Sequence, residues 1–92
     1  MAISIGDALA QVMASNGWNR MMQDIKLRKD WEIIVGHTVA KYTKSVQLRD
    51  YNLIITTEIA ALKQELQYGK QEIINKVNQH FGSIVVKKIT IY

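Results

Sequence analysis

Ninety-two residues make one domain, since ordinary domains run from ~50 to 250 residues. Apolar residues are 48% of the chain and there is neither cysteine nor proline, so one core is expected, while disulfides, thiolate metal sites, cysteine nucleophiles and polyproline linkers are excluded. Lys and Arg number 12 against 8 Asp and Glu, a net charge of +4 that permits binding to a phosphate backbone without demanding it.

In chain order, Ser4 to Asn16 reads as a helix. Ser4 and Asp7 make a capping-box-like start, and Ile5, Ala8, Leu9, Val12 and Met13 recur at helical spacing. Asn16-Gly17 is expected to end it, with Gly suited to a left-handed cap. Residues 1–17 thus form an N-terminal helix ahead of 18–92, within one domain spanning 1–92. A second helical region covers about Asn19 to Val35. Its apolar residues fall in two phases, Met21, Met22 and Ile25 against Leu27, Trp31, Ile34 and Val35. The step from Ile25 to Leu27 turns ~200° around a helix, so a break or kink is expected near Asp24–Lys26. Gly36 stops the helix, and His37 to Tyr42 adds one further turn with Val39 and Tyr42 facing inward.

Thr43 to Arg49 alternates, with Val46 and Leu48 on one side and Gln47 and Arg49 on the other, the pattern of a half-buried strand. Asp50-Tyr51-Asn52 is a turn by composition. Leu53 to Thr57 is β-branched and nearly all apolar, the profile of a central strand. The period then returns to helical through Ile59, Leu62 and Leu66, and again through Ile73, Ile74, Val77 and Phe81, with Gly69 marking a tight joint between two helices. Gly82 closes the second. Ile84 to Tyr92 is the last strand, with Val85, Lys87, Ile89 and Ile91 on one side.

The fold class is therefore α+β. Helices come first, then β-β-α-α-β, and the sheet has three mixed strands with Leu53–Thr57 in the middle. The long helical crossover suits parallel pairing of the last strand with the second. Helices should cover the side carrying Val46, Leu48, Leu53, Ile55, Ile89 and Ile91. The side with Gln47, Arg49, Thr56, Lys88 and Tyr92 should be open and mildly basic. No apolar run approaches the ~18 residues of a membrane span, and Met1-Ala2-Ile3-Ser4 lacks the layout of a secretory signal. A soluble, cytoplasmic protein is the expectation.

Several residues resemble those of a known family. Trp31-Glu32-Ile33-Ile34-Val35-Gly36, then Val39-Ala40 and Tyr42-Thr43, resemble the signature of the bacterial DciA family. The pattern continues with an apolar strand, a Glu-Leu pair at Glu65-Leu66, the ending Asn78-Gln79-His80-Phe81-Gly82 and a final strand over Val85 to Ile91. The resemblance covers about residues 18–92. It implies a KH-like fold of the type II order and a role in bacterial DNA replication, binding DNA and assisting the replicative helicase onto it. The KH hallmark is a Gly-x-x-Gly loop between the two helices; here only Gly69 stands.

For the chemistry, Trp31 is expected in the core rather than stacked on a base. Trp18 sits beside Gly17, as a packing residue or an interface anchor. His37 and His80 stand alone in sequence, without the intervals of a metal site, and are read as surface or capping residues. Glu58, Glu65 and Glu72 recur every seven residues as a solvated stripe. No Gly-x-Ser-x-Gly, phosphate-cradling loop or dinucleotide fingerprint is present, so an enzyme is not expected, nor a cofactor or metal.

The joint Tyr68-Gly69-Lys70-Gln71 has a functional geometry. A helix starting there offers free N–H groups to a phosphate, Lys70 adds charge and Tyr68 a stacking face; the alternative is a plain helix–helix turn. Lys63, Arg49 and Lys88 complete the candidate nucleic-acid contacts. Lys26, Arg28 and Lys29 are a second basic cluster, a solvated face or a contact for phosphates or an acidic partner. Nucleic acid is the expected partner, with single-stranded or duplex DNA favoured and the replicative helicase a further candidate. The competing readings are a protein-interaction module and an RNA-binding KH-like protein.

Overall fold

The computed structural model describes residues 16–92, with side chains from Asn19 onward. The expected helix over Ser4–Asn16 lies outside the described residues, apart from its last position. Helix α1 spans Asn16–Val35. Gly17 lies inside it, so Asn16-Gly17 is not a left-handed cap. The expected break near Asp24–Lys26 is also absent. Leu27, Trp31 and Ile34, at i, i+4 and i+7, are buried, while Met21, Met22 and Ile25 stay nearly half exposed. The second apolar phase alone faces the core, and one continuous helix accommodates both because the first is left in solvent.

Gly36 follows with φ 94° and ψ 164°, a backbone state that glycine adopts without steric cost. It opens the short helix α2, His37–Tyr42. Val39 packs on the core as expected; Tyr42 does not, and is 46% exposed. Tyr42 is the last residue of α2, next to the extended Thr43, and its ring lies near the Lys41 ammonium, 5.6 Å from the ring centre, instead of over the core.

Strand β1 is Ser45–Arg49 and β2 is Asn52–Thr56. β1 starts two residues later than the alternation suggests, because Thr43 caps α2: its hydroxyl donates to the Val39 carbonyl at 2.6 Å. Arg49 pairs with Asn52, leaving a two-residue turn, Asp50 and Tyr51, both at positive φ (49° and 64°). That is a type I′ hairpin, whose twist matches the strands it joins. Helix α3 (Ala60–Tyr68) and helix α4 (Lys70–Phe81) follow, joined at Gly69. Gly82 ends α4 in the left-handed region, φ 70°, and its N–H donates to the Asn78 and Gln79 carbonyls.

Strand β3 is Lys88–Ile91, four residues rather than the expected nine. Val85 and Val86 are both buried, at 2% and 1% exposure, which strict alternation forbids. The Asn78 carboxamide holds them instead: Oδ1 accepts from the Val85 and Val86 N–H groups, both at 2.9 Å, and Nδ2 donates to the Val86 carbonyl at 3.0 Å. A side chain replaces the ladder there, freeing both valines to enter the core.

The sheet order is β1-β2-β3, antiparallel then parallel, with β2 central, as the pattern predicts. Val46, Leu48, Leu53, Ile55 and Ile89 are buried with Leu27, Trp31, Leu66, Ile73 and Val77, and Ile91 packs against them. Among the polar contacts that tie α1 to the rest, two are made by its aspartates. Asp24 Oδ1 accepts from the Leu48 N–H at 2.8 Å on the outer edge of β1 and also pairs with Arg28. Asp30 Oδ2 lies 2.8 Å from His80 Nε2 on α4, so His80 is a half-buried tie between helices rather than a surface or capping residue.

Candidate nucleic-acid interface

The strand residues that point away from the helices form three rows. Arg49, Asn52 and Lys88 are register partners across the strands, and Gln47, Ile54 and Thr90 make the next row. Ser45 pairs with Thr56, and Tyr92 continues β3 beside it, its N–H donating to the Ile55 carbonyl at 2.9 Å. None of these side chains is buried, and Arg49, Lys88 and Tyr92 are exposed. The open, mildly basic side expected from the alternation is thus present.

Its first row is a line of donors. With strands ~4.8 Å apart, Arg49 to Lys88 spans roughly 10 Å. The Thr90 hydroxyl donates to Asn52 Oδ1 at 3.1 Å, which occupies the acceptor and leaves the amide donors free of that bond. Among the described residues neither Arg49 nor Lys88 has an ion-pair partner. Lys87, just before β3, sits against the turn instead, with its ammonium 4.7 Å from the centre of the Tyr51 ring. Guanidinium, carboxamide and ammonium donors in a row, with no carboxylate paired among them, suit an anionic backbone.

The helix joint is placed differently. Gly69 has φ −97° and ψ 15°, an ordinary right-handed value, so no strain requires glycine there. Its N–H donates to the Glu65 carbonyl and its carbonyl accepts from Ile73, each at 3.0 Å. Tyr68 is 84% exposed. The hollow beside the joint is lined by Ala61, Gln64, Glu65, Tyr68, Gly69 and Glu72, two carboxylates and no cation. The Gln71 amide donates to Asn75 Oδ1 at 3.1 Å. Lys63 is exposed on α3, and Lys70 is half-buried at the start of α4. The candidates therefore fall into two groups, Arg49 with Lys88 on the sheet, and Tyr68 to Gln71 with Lys63 on the helices.

The second basic cluster is dispersed. Lys26 lies over the Phe81 ring at 5.3 Å, Arg28 pairs with Asp24, and Lys29 is exposed. Trp18 lies on α1 with its side chain outside the description. His37 sits 3.1 Å from Glu32 in solvent. Of the glutamate stripe, Glu58 pairs with Lys44 and Glu72 with Lys76. Among the described residues no group of three His, Asp or Glu is placed to hold a metal ion, and no helix is long and apolar enough to cross a membrane.

Sequence reasoning passed over Tyr51, Asn52 and Lys87. The signal was available in the Asp50-Tyr51 dipeptide: a two-residue turn demands positive φ at both positions, where Gly or Asn is favoured and a bulky aromatic is out of place.

Comparison with known proteins gives a consistent answer. The family model described as "Dna[CI] antecedent, DciA" matches residues 4–91. That match reaches further toward the N-terminus than the stretch from residue 18 that carries the resemblance. The chain is similar to a UPF0232 protein of Corynebacterium glutamicum, 23% identical over 91 residues, covering 99% of this chain and 51% of the relative. It is equally similar to UPF0232 proteins of Mycobacterium bovis and Mycobacterium tuberculosis, 23% identical over 87 residues, covering 95% of this chain and 46% of each relative. The chain spans about half the length of the curated relatives it matches.

Proposed function

From the premise that the chain belongs to the DciA family, we propose that it is a non-enzymatic nucleic-acid-binding accessory protein of bacterial DNA replication, acting with the replicative helicase. The observation that supports this reading is the unpaired donor row Arg49–Asn52–Lys88 on the open face of a sheet. The helix order and the joint at Gly69 suit a KH-like domain. The ligand is DNA, held through its backbone with little sequence preference, because the row presents donors to phosphate rather than a shaped pocket for base edges.

The sheet row is the main anion contact. The N–H groups opening α4, with Lys70 and Lys63, form a subsidiary one, since Glu65 and Glu72 at the joint oppose a phosphate. Two to four cations neutralising phosphates give a slope of log affinity against log salt of about −1.4 to −3.6, depending on strandedness.

The test is a titration of single-stranded DNA, duplex DNA and RNA at two salt concentrations, with the parent and charge variants. Arg49→Glu with Lys88→Glu should weaken binding by at least ~10-fold and flatten the slope by about two units. Gly69→Asp should fold normally, because its φ is ordinary and an added Cβ meets only the Glu65 carbonyl oxygen at 3.4 Å. Its effect on binding should be about 3-fold or less. A parent that binds none of the three at low salt refutes the proposal and turns the family role toward protein contacts alone. Binding lost in Gly69→Asp and kept in the double variant returns the site to the joint.

A further inference from the structure

The hairpin turn carries an aromatic residue where the backbone does not favour one. Tyr51 has φ 64°, a left-handed value uncommon outside Gly, Asn and Asp and an outlier for a bulky side chain. Strained residues of this kind persist where the surroundings over-determine them, and they cluster at ligand sites. Here the surroundings are explicit. The Tyr51 carbonyl accepts from the Lys87 and Lys88 N–H groups at 2.8 and 3.1 Å. Asp50 pairs with Arg20 of α1 at 2.9 Å. The turn is therefore pinned on both sides.

Core packing does not explain the ring, which is 45% exposed. The Lys87 ammonium lies 4.7 Å from the ring centre. The ring also lines an open groove of about 490 Å³ between the turn and α1, bordered by Gln23, Arg49 and two carboxylates, Asp24 and Asp50, each paired with an arginine of α1. The turn that carries it joins Arg49, one end of the donor row, to Asn52, the middle residue of that row. Arg49 both ends the donor row and lines this groove, so a strand that leaves the row past Arg49 enters the groove where the ring lies.

We propose that Tyr51 is a stacking platform for one unpaired base of a single strand whose phosphate is held by Arg49, Asn52 and Lys88. The inference rests on the nucleic-acid reading above and adds the strandedness of the ligand and the residue that selects it. A duplex keeps its base faces stacked on each other and offers the ring nothing. A single strand offers a π-face whatever its sequence, and because the Lys87 ammonium lies over one face of the ring, the base stacks on the other.

The turn itself supplies a clean test. Tyr51→Gly converts the dipeptide to Asp-Gly, which the type I′ turn prefers, so the variant should keep its melting temperature within a few degrees or raise it. Its affinity for an oligothymidine single strand should fall by about 5- to 100-fold, the effect of losing one stacked base. Its salt slope should stay that of the parent, and its duplex affinity should be unchanged. Tyr51→Phe should bind like the parent. An oligonucleotide with abasic sites throughout should bind the parent and Tyr51→Gly equally. If folded Tyr51→Gly binds the strand as the parent does, the platform is refuted while the donor row stands. A loss accompanied by a slope about one unit flatter also refutes it, because the ring would then act by positioning Lys87 on a phosphate. A parent that binds no nucleic acid overturns both readings, and the Arg49 and Lys88 variants then show no loss to measure.

Discussion

Trp31→Ala should destabilise the domain by about 3–5 kcal/mol, a large share of a total stability of roughly 5–15 kcal/mol and all of it at the lower end of that range. Trp31 is 4% exposed and packs among Leu27, Ile34 and Val46 in the core. Its indole N–H donates to the Thr43 hydroxyl at 3.2 Å, and that hydroxyl donates in turn to the Val39 carbonyl at 2.6 Å. Truncation therefore leaves a cavity and also removes the partner that fixes the end of α2 where the chain enters β1. Trp31→Phe keeps most of the apolar contact and loses the hydrogen bond, so its cost should be smaller, about 1–3 kcal/mol. Urea unfolding followed by far-UV circular dichroism measures both. A Trp31→Ala variant with an unchanged midpoint and lost DNA affinity would make Trp31 a contact residue instead.

Asn78→Leu should cost nearly as much, about 3 kcal/mol, though it adds apolar surface. One carboxamide satisfies three backbone groups, the N–H of Val85, the N–H of Val86 and the carbonyl of Val86. Leaving one such group unpaired costs about 1–3 kcal/mol where water is excluded; the site is partly buried, so the three do not each reach that limit. Asn78→Asp separates the contributions. It keeps an acceptor for both N–H groups and loses only the donor to the Val86 carbonyl, so about 1 kcal/mol is expected. The order Leu worse than Asp, read from urea midpoints, supports the clamp. Equal costs for the two would mean that Asn78 matters for packing rather than for its hydrogen bonds.

Much of this fold is local in origin and was legible for that reason. Alternation in β1 and β2 reports which side of each strand faces the core, because side chains switch sides at every residue. Gly36 and Gly82 mark helix ends because the backbone there takes positive φ. The central place of β2 follows from an apolar composition that only a strand flanked on both edges requires. The open face with Arg49, Lys88 and Tyr92 follows from the same alternation, so half of the candidate interface was visible in the residues.

The remaining features depend on partners distant in sequence. Two apolar phases on α1 suggest a break if every apolar residue must be buried; the sheet admits only Leu27, Trp31 and Ile34, and Met21, Met22 and Ile25 stay in water. Val85 and Val86 look like alternating strand residues until Asn78 takes their backbone hydrogen bonds. Lone histidines carry no signal of pairing, yet Asp30 meets His80 across 50 positions. The glycine joint drew attention as an isolated glycine flanked by Tyr68 and Lys70, whereas folding sets it among Glu65 and Glu72. Periodicity reports the environment a side chain needs. Which charges meet, and which polar atoms are satisfied, is decided when the helices close over one side of the sheet and leave Arg49, Asn52 and Lys88 aligned on the other.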